Sequence, residues 1–216
     1  MDKYDHKKAH KKLFSPGAKD FSLVEVPAFN YLAVDGHGDP NVSAQYADAL
    51  AALYSVSYAA KFASKTSLGR DYVVAPLEGL WWAQDMTDFV SRDKDRWDWT
   101  MMICQPHWIT TEFIEESVAK AAAKKVLPAL ARLHHMELVE GSCLQILHIG
   151  SYDDEGPTLN RLHNSYMPAN NLSFNGKHHE IYLSDPRRTA PEKLKTILRQ
   201  PVRKLRQESA PVGDTP

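Results

Sequence analysis

Residues 144–157 read Leu-Gln-Ile-Leu-His-Ile-Gly-Ser-Tyr-Asp-Asp-Glu-Gly-Pro, and this stretch decides the fold. An apolar strand runs into a turn of glycine, acidic residues and proline, and a helical pattern and a strand containing Glu180 follow. The same order of features leads from Tyr31–Val34 through a similar turn and a helix to a strand containing Glu78. Two related strand-turn-helix-strand units predict a pseudo-twofold α+β fold. A ligand cavity can form where such units meet.

Local patterns predict further elements. Residues 21–34 indicate two extended pieces broken at Pro27, because proline interrupts strand pairing. Gly141-Ser142 separates two strand-like runs and predicts a β-hairpin. Residues 177–183 are predicted to be the last strand, and residues 191–206 are predicted to form a basic helix that opens with a proline.

The two ends of the chain differ in composition from its middle. Residues 1–20 form a basic lead-in, which we interpret as a solvated terminus rather than a nucleic-acid contact. Residues 207–216 are small, polar and proline-bearing, so we expect a disordered tail.

The composition is that of an ordinary soluble globular protein. The 216 residues are 43% hydrophobic and 25% charged, which fits one large domain or two small, tightly joined ones. The net charge of -1 gives no electrostatic footprint for nucleic acid or an anionic membrane, so we expect neither as a partner. We expect a small-molecule partner, and a monomer or homodimer.

Cysteine usage and the amino terminus bear on location. Cys104 and Cys143 each lie in an apolar stretch, and we interpret them as reduced core thiols in a reducing compartment. Met1–Phe14 lacks the apolar region of a secretory signal, and no window approaches the roughly 18 apolar residues of a membrane span. We therefore expect a cytoplasmic protein.

Signals for metals and cofactors are weak. His134-His135 and His178-His179 are adjacent pairs, and adjacent residues on a strand point to opposite faces, so neither pair is a natural metal clamp. The H-E-x-x-H and C-x-x-C spacings do not occur, and neither a glycine-rich phosphate loop nor a G-x-S-x-G nucleophile motif is present. We expect no metal and no cofactor.

Aromatic residues of two predicted strands are candidates for a ligand site. Trp81 and Trp82 are adjacent and point to opposite faces, whereas Trp97, Trp99 and Met101 share one face of the next strand. Tryptophan offers a flat, rigid surface on which an aromatic ligand stacks. The alternative is that these residues fill the core, and the pattern leaves both interpretations open.

Two glutamates lie in otherwise apolar strands. A carboxylate is costly to bury unless it is paired or hydrogen-bonded. Burial tends to raise its pKa, which suits a general acid or base. Glu78 is one candidate, with a solvent-facing side chain as the alternative. Glu180 shares a strand face with His178 and Tyr182, which places a carboxylate, an imidazole and a phenol side by side. A purely structural hydrogen-bonded row is the alternative here.

Several stretches together resemble the GyrI-like family of small-molecule-binding proteins. They are Leu147–Pro157, His178–Arg188, Pro76–Trp82 and Trp97–Thr100. The resemblance covers roughly residues 21–206 and implies the multidrug-regulator effector-binding fold, a pseudo-twofold pair of β-α-β-β modules with antiparallel sheets around a central cleft. It places these modules at about residues 21–105 and 134–206, joined by helices in residues 110–135.

The tryptophan strands resemble one branch of this family in particular, the cyclopropanoid cyclopropyl hydrolases. Members of that branch open the strained ring of DNA-alkylating natural products inside an aromatic cage. The family glutamate maps onto Glu180, and Glu78 and Tyr182 are further catalytic candidates. The ligand-binding candidates are Trp81, Trp82, Trp97, Trp99, Met101, Tyr166 and His178.

The resemblance leads to one primary hypothesis and two alternatives. In the primary hypothesis the protein hydrolyses the cyclopropane ring of such toxins and so detoxifies them. The first alternative is a non-catalytic protein that sequesters flat or cationic xenobiotics, with a glutamate as counter-charge. The second is an interaction protein that inhibits a macromolecular target, as some relatives are thought to act on gyrase. Regulators of the family carry a DNA-binding helix-turn-helix ahead of this domain, whereas we expect none before Phe21 and therefore a role in binding or chemistry without DNA contact.

Overall fold

The computed structural model describes residues 3–84 and 93–205. The strands in this part of the chain are β1 Ser22–Val26, β2 Phe29–His37, β3 Leu77–Ala83, β4 Trp97–Gln105, β5 Leu133–Leu138, β6 Gly141–Ile149, β7 Leu172–Phe174, β8 His178–Tyr182 and β9 Lys195–Lys204. The α-helices are α1 His6–Ala9, α2 Lys11–Phe14, α3 Ala44–Ser67, α4 Thr111–Ala122, α5 Gly156–Arg161 and α6 Met167–Ala169. No helix among these residues is long and apolar enough to cross a membrane.

Local sequence signals set several element boundaries. Pro27 separates β1 from β2, as predicted. The Thr110 hydroxyl accepts a hydrogen bond from the Phe113 N–H and caps α4. Gly69 follows the end of α3 with a φ of 64°, a left-handed conformation that glycine adopts without strain.

The strands pair in the order β1-β6-β9-β8-β3-β4-β2-β5, and the short β7 also pairs with β9. One β-α-β-β unit consists of β2, α3, β3 and β4, and the other consists of β6, the helices α5 and α6, β8 and β9. The two units lie symmetrically on either side of the antiparallel β3–β8 pair, which joins them into one sheet. The predicted α+β fold with a pseudo-twofold pair of units is confirmed.

The hairpin predicted around Gly141-Ser142 is wrong. β5 pairs with β2, whereas β6 pairs with β1 and β9, so the two flanking strands lie far apart in the sheet. Gly141 does turn the chain, with a φ of 65°. The glycine turn therefore exists, but long-range pairing selects different partners for the strands on its two sides.

The basic helix predicted for residues 191–206 is also wrong. Pro191–Lys193 form a 3-10 turn, and Lys195–Lys204 form β9, which pairs with both β6 and β8. A strand with two neighbours can be buried on both faces, and residues 196–202 form one continuous buried run. Hydrophobic periodicity does not separate such a buried strand from a buried helix, which explains the wrong prediction. Residues 177–183 contain β8, as a strand was predicted there, but the last strand is β9.

The amino-terminal lead-in packs against the sheet, although the sequence suggested a solvated terminus. Leu13 and Phe14 of α2 are buried, and the Leu13 carbonyl accepts a hydrogen bond from Arg199 of β9. The two apolar residues at the end of the basic run are the signal in the sequence that could have predicted this packing. The tail predicted at residues 207–216 lies outside the described residues.

The contact between Trp99 and Gly36 shows how closely β4 and β2 approach. Trp99 is fully buried, and its indole N–H donates to the Gly38 carbonyl oxygen at 3.2 Å. Gly36 is its cross-strand partner, and a Cβ built on Gly36 would lie 2.1 Å from the Trp99 ring. Only glycine leaves room for the ring in this position.

We expect Gly36→Ala to lower the free energy of unfolding by about 1–3 kcal/mol, because the added methyl group forces the buried ring to move. Urea denaturation measures this change as a lower midpoint. Gly17→Ala is the matched control, since a Cβ at Gly17 meets no atom within 4 Å. Equal midpoints for the two variants would contradict the close packing.

Candidate functional site

A cleft of about 1500 Å³ opens where the two β-α-β-β units meet. Its lining comes from β3 and β8, from α3, and from the chain between Tyr152 and α5. Residues opposite each other on paired strands share a face, and Gly79 lies opposite Glu180 while Trp81 lies opposite His178. The central cleft that the fold class implied is therefore present at the β3–β8 pair.

Aromatic side chains form much of the lining. Trp81 and Trp97 meet edge to face, with ring centroids 5.8 Å apart and planes at 69°. Tyr46 of α3 lies 6.4 Å from Trp81, centroid to centroid. Tyr152 packs edge-on against Tyr182, with centroids 5.5 Å apart and planes at 78°. These inclined rings offer a planar guest aromatic faces and edges on several sides.

Glu180 is the carboxyl group that β8 presents to the cleft, and it is only 8% exposed. The Trp81 indole N–H donates to the Tyr182 hydroxyl oxygen at 2.9 Å. The Tyr182 hydroxyl in turn donates to Glu180 Oε2 at 2.8 Å, and His178 Nε2 lies 3.4 Å from Glu180 Oε1. A hydrogen-bonded row therefore links the aromatic wall to the carboxylate.

The surroundings hold Glu180 in its ionised form. Burial raises the pKa of Glu180, but the hydrogen bond and charge of His178 and the hydrogen bond from Tyr182 outweigh it, and the net pKa is lowered. Burial and then the charge of Glu180 raise the pKa of Tyr152 to about 12 and that of Tyr182 well above its ordinary value. At neutral pH the Glu180 carboxylate thus lies beside the neutral phenols of Tyr152 and Tyr182.

Such a carboxylate has two chemical uses. It can take a proton from a water molecule, or it can balance the charge of a cationic guest held against the rings. Within residues 3–84 and 93–205, no group of three or more His, Cys, Asp or Glu side chains is arranged to hold a metal ion.

The four tryptophans of β3 and β4 have different surroundings. Trp81 and Trp97 line the cleft. Trp82 points to the opposite face of β3, where Lys177 Nζ lies 3.1 Å from its ring centroid. Trp99 faces the same side as Trp81 but is fully buried behind the lining. Trp81 and Trp97 are thus the pair among these four that can meet a ligand.

Three other candidates for ligand binding do not line the cleft. Met101 is fully buried on β4. Tyr166 packs against Phe21, with ring centroids 5.0 Å apart, beside a separate depression on the surface. His178 is 4% exposed and contacts Glu180, so it acts on the cleft through that carboxylate.

Glu78 lies on the opposite face of β3, away from the cleft. It is fully buried, its Oε2 accepts a hydrogen bond from the Tyr31 hydroxyl at 3.2 Å, and the same oxygen lies 3.0 Å from His179 Nε2. His179 Nδ1 lies 3.0 Å from Glu140, and Arg199 donates to Glu140 at 3.2 Å. Each charge in this network lies beside an opposite one, and the network ties β3, β8 and β9 together.

This buried network makes stability depend on pH. Burial lowers the pKa of His179, but Glu140 and Glu78 outweigh it and raise that pKa from 6.5 to about 9. The resulting stabilisation is complete below pH 6.5 and is lost as the pH rises through about 9. Burial raises the pKa of Glu140, but His179 and Arg199 outweigh it and lower that pKa from 4.5 to about 2. The stabilisation that Glu140 contributes is therefore complete above pH 4.5 and is lost as the pH falls through about 2.

We expect the melting temperature to fall as the pH rises from 6.5 to 9, because His179 loses its proton. Differential scanning calorimetry at several pH values measures this. His179→Gln is expected to unfold at a lower temperature and to lose the alkaline slope. His134→Gln, at a half-buried position on β5, is the control that keeps it. An alkaline slope that is unchanged in His179→Gln would refute the assignment.

Tyr46 and Glu155 are among the lining residues that the sequence analysis did not select. Tyr46 appeared as one of the apolar positions of the α3 pattern, where nothing distinguished it from a core residue. Glu155 lies within residues 144–157, but its acidic run was interpreted only as a turn. Its place in the wall of the cleft depends on how α5 packs over the sheet.

Comparison with known proteins identifies the family. A family model described as a GyrI-like small molecule binding domain matches residues 19–203. The chain therefore belongs to the GyrI-like family, and its domain is a small-molecule-binding one. No protein of curated function shows a significant match.

Solved structures from Listeria innocua are similar over nearly the whole chain. An uncharacterized conserved protein is 39% identical with a TM-score of 0.85, covering 93% of this chain and 100% of its own. A protein described as a hydrolase is 36% identical with a TM-score of 0.80 and the same coverage. The EcmrR C-terminal domain is 9% identical with a TM-score of 0.54, over 86% of this chain and 98% of its own, and shares the fold alone.

We expect Trp81→Phe to weaken binding of the planar dye acridine orange by about 2–10-fold, because stacking worth about 0.5–1.5 kcal/mol is reduced. A fluorescence titration gives the Kd. Trp82→Phe is the matched control on the opposite face of β3, and its Kd is expected to equal that of the wild type. Equal losses in both variants would contradict this placement of the binding surface.

Proposed function

We propose that the protein binds flat, hydrophobic xenobiotics in the cleft and hydrolyses the cyclopropane ring of cyclopropanoid DNA-alkylating toxins. The observation that carries this proposal is the Glu180 side chain, which accepts a hydrogen bond from Tyr182 in the wall of an aromatic cleft. The relatives described as hydrolases, at 36% and 37% identity, support it. The resemblance of the tryptophan strands to the cyclopropanoid cyclopropyl hydrolases is a further support.

In the proposed reaction the guest, a spirocyclopropane conjugated to a dienone, packs against Trp81 and Trp97. Glu180 takes a proton from a water molecule, and the water oxygen bonds to the methylene carbon of the three-membered ring. The ring C–C bond breaks, and its electron pair makes the six-membered ring aromatic and moves negative charge onto the dienone oxygen. That oxygen takes up a proton and becomes a phenol, so the net change is the addition of one water molecule.

The neighbours of Glu180 have separate roles in this proposal. Tyr182 donates its hydroxyl hydrogen to Glu180 and accepts a hydrogen bond from Trp81, so it positions the carboxylate. His178 contacts the other carboxylate oxygen. Glu78 faces away from the cleft, and we propose a structural role for it in place of a catalytic one.

Release of strain and the gain of aromaticity drive the reaction, so moderate acid–base catalysis is sufficient. We expect Glu180→Gln to lower the rate of ring opening by about 10²–10⁴-fold, since an amide cannot take a proton from water. Purified protein is incubated with a spirocyclopropyl cyclohexadienone, and mass spectrometry measures the hydrated product. Glu137→Gln, at an exposed position of β5, is the control with full activity. A wild-type rate equal to that of the buffer would remove the enzymatic proposal.

Sequestration without turnover is the second candidate, because an ionised carboxylate among aromatic rings also suits a cationic guest. Dye binding by a protein that leaves the cyclopropane substrate intact would favour it. Either activity would lower the free concentration of a toxin, and we propose detoxification in the cytoplasm as the cellular role. The buried free thiols Cys104 and Cys143 are consistent with a reducing compartment.

A further inference from the structure

The cleft is larger than one flat guest requires, and it continues along α3. Its volume is about 1500 Å³, whereas pockets for drug-sized ligands occupy roughly 300–1,000 Å³. The α3 residues that line it include Tyr46, Leu50, Ala51, Tyr54, Ser55 and Tyr58. Because they recur at intervals of three and four residues, they form one continuous face of the helix. The lining on α3 is therefore a strip along the helix and not a single contact.

The helix sets the length of this strip. Tyr46 lies beside Trp81, with ring centroids 6.4 Å apart, so this end of the strip belongs to the part of the cleft that contains the aromatic wall. At a rise of 1.5 Å per residue, Tyr54 and Tyr58 follow Tyr46 by about 12 Å and about 18 Å along the helix axis. This length suits two flat ring systems in line, one against Trp81 and one over the two tyrosines.

The far end of the strip carries aromatic rings that the protein leaves partly uncovered. Tyr54 is 36% exposed and Tyr58 is 46% exposed, although both line the cleft. The ring of Tyr58 stacks on that of Phe62, with centroids 6.3 Å apart and planes at 30°. Partly exposed rings that continue a ligand cleft offer a guest further apolar surface and aromatic faces.

The charged lining residues that follow β8 are paired with each other. Arg187 Nε and Nη2 donate hydrogen bonds to the two oxygens of the Asp185 carboxylate, each at 2.9 Å. The charges of this pair balance, so it gives the cleft no net charge with which to select an ionic group. An uncharged ring system therefore matches the tyrosines better than an ion does.

We propose that Tyr54 and Tyr58 form an outer subsite, which binds a second flat, uncharged ring system joined to the reactive head of an elongated guest. This proposal rests on the proposed function, because it takes the head of the guest to lie beside Trp81 and Glu180. A covalent link between the two ring systems makes the second contact intramolecular, so the affinity of the whole guest rises. The outer subsite thus selects guests by length, whereas Glu180 acts on the head.

The test compares two derivatives of acridine orange in a fluorescence titration. Both carry the same flexible linker of about 12–18 Å, the span of the strip, and only one of them ends in a naphthyl group. The cationic dye is the head that suits Glu180, and the naphthyl group is the uncharged second ring system. We expect the wild type to bind the naphthyl derivative about 10–100-fold more tightly than the derivative with the bare linker.

Variants on α3 locate this gain. Tyr58→Ser is expected to weaken binding of the naphthyl derivative about 2–10-fold and to leave the Kd of the bare-linker derivative unchanged. Serine and tyrosine have similar helix propensities, so α3 is expected to stay folded. Tyr58→Phe keeps the ring and is expected to bind both derivatives like the wild type. Leu68→Ser is the control, because Leu68 is also 46% exposed on leaving α3 but is not part of the lining.

Two results would overturn the outer subsite directly. One is equal affinity of the wild type for the two derivatives, and the other is an equal loss for both derivatives in Tyr58→Ser. Sedimentation velocity gives a third, since a wild-type dimer that dissociates in Tyr58→Ser would assign the exposed rings to a second copy of the chain.

The outer subsite and the hydrolysis are judged by separate measurements. If the naphthyl derivative shows the expected selectivity but the spirocyclopropyl substrate stays intact, the hydrolysis fails and the outer subsite stands. If the substrate is hydrolysed but the naphthyl group adds no affinity, the hydrolysis stands and the outer subsite fails. If the wild type binds neither derivative, the cleft is not the site of flat guests and both binding proposals fall.

Discussion

The antiparallel pairing of β3 with β8 is the contact on which the rest of the structure depends. It joins the two modules, and its register sets Gly79 beside Glu180 and Trp81 beside His178. Because side chains alternate along a strand, this register assigns one face of the centre to the cleft and the other to the buried interior. A slip by one residue on either strand would reverse its two faces. The site is therefore a property of the pairing and not of one motif.

The two faces of this pair have complementary roles. Behind the cleft, the charges of Glu78, His179 and Glu140 alternate in sign and hold the central strands at fixed positions. On the cleft side, Gly79 leaves space that a side chain would fill, since a Cβ there would lie 2.8 Å from Trp81 Nε1. The glycine thus preserves the hydrogen bond from Trp81 to Tyr182, through which the aromatic wall meets the carboxylate.

Part of the site could be predicted because strand alternation is a local property. The sequence placed His178, Glu180 and Tyr182 on one face, and the structure brings Glu180 and Tyr182 to the cleft with His178 in contact behind. Glu155 could not be assigned this way, since its place in the wall of the cleft depends on how α5 packs over the sheet. The hairpin prediction was wrong because β6 pairs with β1 and β9, which are distant in the chain. The helix prediction was wrong because β9 lies between β6 and β8 and is buried over residues 196–202, and hydrophobic periodicity does not separate such a run from a buried helix.

The sequence by itself determined the two strand-turn-helix-strand units, their α+β class and the alternating pattern of each strand, because these follow from turn chemistry and from the periods of hydrophobic residues. Only the tertiary structure decided that Trp81 meets the cleft while Trp82 faces Lys177, and that Glu180 lines the cleft while Glu78 joins the buried network. The sequence of a strand does not show which of two adjacent side chains faces the cleft until the strand is paired and one of its faces is covered. The register of β3 with β8 and the packing of α3 and α5 over one face decide which one does.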